Sequence, residues 1–439
     1  MHWKAGTAKA IITPETSVWL AGYGTKRAPE GKLHDLWLKV LALEDPNGRD
    51  VVLITSDHMG IPRVMYESMF KKLNERFELE RSQVMFTFSH NHCGPRLRED
   101  LVDYYPVDPM QTKLVTDYSD IVETLTVETV AHALSDLTPA RLSIGEGITT
   151  FAVNRRDTPE SEVPRLLANG DPLKGVVDHS VPVLTVHNKA DQLCAVLFGY
   201  ACHPTTLNFT NWCGDYPGFA QINIEKRHPG TSAMFFNTCG GDQNPLPRRS
   251  VELCERYGHM LSEAVEAVLN RPLQPVLADL RTAFEFTDLV YQKVMSRPEL
   301  EKSCSSQNAI HARWAKRMLN KLDSGETFAS SYSYPIQVCK FGNELLLIGM
   351  GGEAVVDYSL RFKKEFGMHT WVCGYSNDLV AYIPSWRVWQ EGGYEGGPHL
   401  DEYGHPALRW AGDVEERIAA AVARLVYEVN RGTAARLER

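Results

Sequence analysis

Long apolar runs are missing from this chain. The longest, such as residues 51–55, are strand-sized, far short of the roughly 18–20 residues that a membrane helix requires. The first residues, MHWKAGTAKAIITPETSVWLAGYG, contain no basic segment followed by a long apolar one, so no secretion signal is expected. Cys-x-x-Cys is absent, and the nine cysteines are odd in number and irregularly spaced. That pattern excludes a disulfide framework and points to a reduced, cytoplasmic protein, the alternative being a mature secreted form without its leader. An excess of basic charge is missing too. With 46 basic and 55 acidic side chains the formal net charge is -9, which argues against nucleic acid or an anionic membrane as a partner. Neither a Gly-x-Ser-x-Gly elbow nor His-Glu-x-x-His occurs, which disfavours a serine hydrolase and a helical zincin. There is no internal repeat, no low-complexity tract and no Pro/Gly/Ser linker, so residues 1–439 are expected to form a single domain.

What is present is an ordinary globular balance, 43% hydrophobic and 23% charged. Five apolar runs end in polar, chemically capable residues: 51–58, 84–95, 194–204, 232–245 and 344–353. Each reads as a buried strand followed by a loop. Between them the apolar spacing predicts helices over 64–77, 115–134, 251–269, 354–365 and 414–429, and a charged surface helix over 298–322. The fold expected is α/β, a mixed-sheet core with helices on both faces and a metal site at the C-terminal ends of the strands. Ligands bind outside those ends in α/β sheets. Asp57, His90, His203, Asp242 and Glu353, each at one of them, are therefore expected to converge on one crevice.

The sharpest local pattern is Ser89-His90-Asn91-His92-Cys93-Gly94-Pro95. Side chains at i and i+2 of a strand share a face, so His90 and His92 could both turn their imidazoles to one metal ion; the plain alternative is a pair of hydrogen-bonded structural histidines. His203, in Cys202-His203-Pro204-Thr205-Thr206, again follows an apolar strand. Glu353, after Gly351-Gly352, is expected to open a helix, where the dipole favours the carboxylate, although a simple first-turn Glu would look the same. The loop Cys239-Gly240-Gly241-Asp242-Gln243-Asn244-Pro245 could offer backbone donors to an anion, and it lacks the Gly-Lys-Ser/Thr ending of a nucleotide P-loop. The Tyr- and Gly-rich segment 374–397 reads as an ordered loop.

In order and spacing these pieces resemble the catalytic domain of the neutral (alkaline, non-lysosomal) ceramidase family. Ser-His-Asn-His-Cys-Gly-Pro is similar to that family's Thr-His-Thr-His-Ser-Gly-Pro, Asn154-Arg155 to its Asn-Arg motif and Cys202-His203-Pro204-Thr205 to its second histidine motif. Gly214-Asp215-Tyr216-Pro217-Gly218 falls where the family has Gly-Asp-x-x-Gly, and Gly241-Asp242-Gln243-Asn244-Pro245 where it has Gly-Asp-x-Ser-Pro. Tyr382 and Tyr394 keep its interval of twelve, with Glu-Gly-Gly following the second. The resemblance runs from Gly6 to about Gly397.

The resemblance implies one Zn2+ per chain, held by His90, His203, Glu353 and Tyr382 and not by the pair His90 and His92. It implies that His92, Arg155 and Tyr394 line the site and handle the substrate carbonyl. Asp57 is then expected to orient a histidine, and Asp242 and Asn244 to meet the substrate. The activity implied is hydrolysis of an amide (N-acyl) bond by metal-activated water. His92, with an ordinary pKa near 6.5, would serve as the proton donor. Three departures from the family bear on the substrate: Asn244 replaces its serine, no immunoglobulin-like C-terminal module is expected in a chain ending at Arg439, and no secretion signal is seen. The substrate expected is therefore a small molecule other than membrane ceramide, with no stable membrane insertion. A lactone, ester or carbohydrate-directed hydrolase on the same scaffold is the first alternative, and a non-catalytic zinc-binding protein the second. The sequence leaves both a monomer and a homo-oligomer open.

Overall fold

The structure, a computed structural model, describes residues 2–434. Strands β1 (Trp3–Ile11), β2 (Trp37–Glu44), β3 (Asp50–Ser56), β4 (Val84–Phe88), β5 (Thr138–Ile148), β6 (Ser180–Asn188), β7 (Leu193–Tyr200) and β8 (Ser232–Asn237) form the main sheet. Their order is β8-β7-β6-β5-β1-β2-β3-β4, with Gln274–Val276 pairing on β5. The sheet is mixed: β3/β4 and β7/β8 are parallel at the two edges and the pairs between them are antiparallel. A second sheet runs β9 (Leu280–Val290), β10 (Ser331–Phe341), β11 (Leu345–Met350), β12 (Thr370–Cys373), with only its last pair parallel.

The continuous apolar strands are explained by this stacking, because both faces of the main sheet are buried. Along β2, Leu38, Val40 and Ala42 face one core while Leu41 and Leu43 face another, the period of two that pleating imposes. The first core is closed by α1 (Arg63–Phe77), α2 (Pro109–Ser135), α3 (Asp215–Arg227) and α4 (Val251–Leu269). The second core lies between the sheets, where Leu53, Met85, Leu197 and Phe236 meet Cys339, Leu347 and Trp371. The outer face of the second sheet is covered by α6 (Asp357–Phe366) and α7 (Val414–Ala434). Helices thus occupy both outer faces, as expected for the class, and the layer between them is a pair of sheets.

The geometry of the main sheet brings its two ends together. Strand pairs twist by about 20–25° each, and across eight strands this turns one edge far around relative to the other. Asn237 Nδ2, at the end of β8, donates to Ser89 O at the end of β4 over 3.1 Å. Histidines that leave β4, at one edge, and β7, beside the other, can therefore meet.

Two expectations change and one helix is new. The charged segment 298–322 is not one surface helix: it is Arg297–Ser303 and α5 (Ala309–Asp323), joined by a turn in which Asn308 caps α5. Its narrow apolar stripe is spent on a small core of its own, Leu300, Trp314, Ala315 and Met318, all buried. The helix expected at 354 begins only at Asp357. Helix α3 was not legible, because Pro217 and Gly218 in its first turns read as loop residues. All nine cysteines are free thiols, and no described helix is long and apolar enough to cross a membrane.

One chain of buried polar groups in the first core is satisfied locally. Ser56 Oγ lies 2.7 Å from His58 Nδ1, and His58 Nε2 lies 2.9 Å from Tyr118 Oη, whose own proton goes to Ile12 O. The ring needs only one proton there, and burial pushes its pKa down to about 3. Because the folded value lies below the unfolded one, this group's contribution to stability is present above about pH 6.5 and is lost as pH falls toward the folded pKa. We expect the stability of the wild type relative to His58→Gln to fall by about 3 kcal/mol between pH 7 and 4. Denaturant midpoints measured on both proteins across that range would check this. A difference independent of pH would contradict it.

Candidate metal centre

His90 follows β4, His203 follows β7, and Glu353 follows β11 of the second sheet, so the site sits where the ends of both sheets meet. All three side chains are buried, and one ligand atom from each lies within 4.8 Å of the others. Glu353 Oε2 is 3.2 Å from His90 Nε2 and 2.9 Å from His203 Nε2. The opposite ring nitrogens are committed: His90 Nδ1 donates to Met59 O at 2.8 Å, and His203 Nδ1 to Gly240 O at 2.7 Å. A carbonyl brings no proton, so each Nδ1 must carry the hydrogen, and in the neutral ring each Nε2 presents a lone pair inward. Backbone carbonyls on the outer nitrogens are the usual way in which metal-binding histidines are fixed in tautomer and orientation.

The electrostatics agree with a ligand set. Burial, then the charge of Arg155, hold the His203 imidazole down at about 4, against the pull of Glu353. Burial alone would raise Glu353, but the charges and hydrogen bonds of His90 and His203 overcome it and keep the carboxyl well below the usual range. Two imidazoles, each anchored through Nδ1 with Nε2 turned inward, and one carboxylate form a donor set that suits zinc and related divalent ions. The residues fit a divalent cation for a second reason: without one, two inward lone pairs and a carboxylate face one another.

Backbone conformation makes this convergence. His90 has φ 64, a left-handed value costly for a residue with a Cβ; such values concentrate at functional sites. Strand alternation therefore does not bring His90 and His92 together, since both lie past the end of β4. The turn does so instead, leaving the two Nε2 atoms 3.2 Å apart. His92 stays outside the three-residue cluster. Its ring packs on Tyr23, with centroids 4.8 Å apart, and on Gly22, where an added Cβ would stand 2.3 Å from Nδ1. Burial, then the neighbouring His90 and His203, push its pKa well below 6.5, so His92 is a neutral imidazole with a lone pair and not a charged proton donor.

Glu353 does not open a helix. With Ala354 it forms a two-residue strand parallel to Tyr382–Ile383, in a register that sets Glu353 beside Tyr382. Tyr382 Oη lies 3.3 Å from His203 Nε2 and accepts a hydrogen bond from Arg155 Nη2 at 3.1 Å. Arg155 is itself held by Glu395 (2.7 Å), Asn244 Oδ1 (3.3 Å) and Gly241 O (2.8 Å). Gly241 passes so close behind Glu353 that a Cβ would stand 2.6 Å from Glu353 O. The Tyr394 ring lies 5.1 Å from that of Tyr382, and its hydroxyl donates to Glu402 at 3.0 Å.

Two of the residues singled out from sequence are turned elsewhere. The Asp57 carboxylate accepts from the Trp37 amide at 2.9 Å and lies 3.5 Å from Gln221 Nε2; it meets none of the site histidines. Asp242 accepts from Asn154 Nδ2 at 3.1 Å and from Val356 N at 3.0 Å, just before α6, and burial raises its pKa to about 6. It braces the loop, while Asn244 reaches the site through Arg155. Sequence reasoning missed Tyr403, whose hydroxyl donates to Glu353 Oε1, Tyr375, whose ring lies 4.5 Å from that of His90, and Glu395. Each supports the site through a contact that only folding creates; Glu395 stands in the Glu-Gly-Gly after Tyr394, but nothing in the sequence announces its pairing with Arg155. Removing an outer partner of a metal ligand typically costs about 10–100-fold in affinity. We expect that loss for Tyr403→Phe, measured by competition with a chelating dye; unchanged affinity would make the Tyr403 contact incidental.

No protein-family model and no curated protein matches the sequence. Solved structures do. The neutral ceramidase of Pseudomonas aeruginosa superposes with a TM-score of 0.70 at 18% identity, over 95% of this chain and 75% of that one. A ceramidase complexed with C2 superposes with a TM-score of 0.70 at 17% identity, over 97% of this chain and 76% of that one. The chain therefore has the fold of neutral ceramidase, with His90, His203 and Glu353 gathered at one point of it.

Proposed function

We propose that this chain is a metal-dependent hydrolase that cleaves an amide, R–CO–NH–R′ plus water giving a carboxylic acid and an amine. The observation that carries the reading is the meeting of two inward-facing Nε2 lone pairs and the Glu353 carboxylate, with both Nδ1 protons spent on carbonyls. The fold shared with neutral ceramidase supports it.

In this reading His90, His203 and Glu353 hold one divalent ion, zinc by the chemistry of the donors, with Tyr382 as a fourth contact. Such an ion supplies Lewis acidity and lowers the pKa of water in contact with it from 15.7 toward about 7. His92 Nε2, neutral at the outset, takes the proton from the attacking water and returns it to the leaving nitrogen. Arg155 keeps its charge beside Tyr382 Oη and against the carbonyl oxygen as negative charge develops there. The Tyr394 ring closes one side.

Removing the metal tests the reading. Dialysis against a chelator is expected to abolish hydrolysis of N-acyl compounds, and one equivalent of Zn2+ to restore it. Turnover that survives chelation would refute metal dependence, and ester or lactone cleavage without amide cleavage would reassign the reaction.

A further inference from the structure

Beside the centre lies a cleft of about 690 Å³, lined by Arg155, Arg156, Asn244, Arg248, Glu391 and Tyr394, with Asp157, Glu160, Gly393 and Glu395 completing it. It shares Arg155 with the site, and that guanidinium bonds both Asn244 in the cleft and Tyr382 at the centre. No aliphatic side chain lines it. Apart from the Tyr394 ring, a long acyl chain would find charged and amide groups there, and each methylene without an apolar wall forfeits about fourfold in affinity.

The polar groups are arranged as pairs. Arg248 grips Glu160 with Nε at 2.8 Å and Nη2 at 2.6 Å, and its Nη1 donates to Thr205 Oγ1 at 3.0 Å. Arg156 joins Glu395 at 2.5 Å and Glu391 at 3.0 Å. Three guanidiniums stand against four carboxylates, so the cleft has no spare positive charge to attract an anion. What it offers is donors and acceptors side by side in fixed positions, the array that reads neighbouring hydroxyl groups. Asn244 Oδ1 is taken by Arg155, and among the described residues its Nδ2 donates to nothing. At the mouth, Tyr394 is 46% exposed, a ring face with its hydroxyl tied to Glu402. A rigid amphipathic ring of this kind can lie under the C–H face of a cyclic polyol.

We propose that the amide cleaved here is carried by a small, uncharged, polyhydroxylated ring, an N-acylated amino sugar, with Tyr394 beneath the ring and Asn244, Arg248 and Glu391 reading its hydroxyls. This rests on the hydrolase reading above. Water adds across the C–N bond: the acyl carbon gains the hydroxyl, the nitrogen gains the hydrogen, and a short carboxylic acid leaves a free amino sugar.

The test uses the full chain loaded with Zn2+. Methyl N-acetylglucosaminide is compared with an N-hexadecanoyl sphingoid amide for amine release, and sugar binding to the chelated protein is followed by calorimetry. We expect release from the sugar amide only. Arg248→Ala and, separately, Tyr394→Ala should each weaken KM and sugar binding about tenfold or more, the loss of one charged or stacked contact. Saturable sugar binding that responds to both variants, without turnover, would keep the cleft assignment and sink the hydrolase. Release from the long-chain amide alone would overturn the substrate class and keep the hydrolase. Binding and turnover of neither would overturn the proposal.

Discussion

Replacing His203 with Ala is expected to leave a folded chain that neither retains a divalent ion nor hydrolyses an amide. His203 contributes one of two inward Nε2 atoms, and its Nδ1 bonds Gly240 O and Gln243 O, so it also ties the glycine loop to the site. Its loss removes a donor outright, and the drop in metal affinity should exceed the roughly 10–100-fold that losing an outer partner costs. Metal content by elemental analysis, near-ultraviolet circular dichroism and turnover would be read on the same sample. One retained equivalent of metal with normal turnover would end the metal-centre reading.

His92→Gln is expected to separate proton handling from metal holding. His92 lies 3.2 Å from His90 Nε2 yet outside the three-residue cluster, and its Nδ1 has no hydrogen-bond partner among the described residues. On the hydrolase reading proposed above, a group so placed would handle protons without carrying the ion. We expect one equivalent of metal to remain while kcat falls by about 10²–10⁴, the usual worth of a positioned acid or base. KM should change little, because the loss is felt in the transition state. Should the variant lose its metal instead, His92 would be a ligand, as the i, i+2 spacing alone first implies.

The residues with the most reactive chemistry were also the most legible. His90, His203 and Glu353 each end an apolar run, and a strand end is where a buried sheet offers a side chain to a ligand. Their support was not legible. Tyr403 reaches Glu353 across 50 positions, and Glu395 reaches Arg155 across 240. Asp57 and Asp242 fit the strand-end rule as well as Glu353 does, yet their carboxylates are spent on backbone amides. A carboxylate after a strand serves whichever donor the fold brings near, and the local sequence does not say which.

The order of apolar and polar residues along the chain determined by itself that there would be buried strands, amphipathic helices such as α1 and α4, and histidines at strand ends. It determined these because burial acts on each segment through its own periodicity. Only the tertiary structure decided that a second sheet, not a layer of helices, covers one face of the main sheet, that His92 stands beside the cluster and not in it, and that charged pairs line the cleft. Those outcomes depend on the accumulated twist of eight strands and on contacts between residues hundreds of positions apart, which no local pattern encodes.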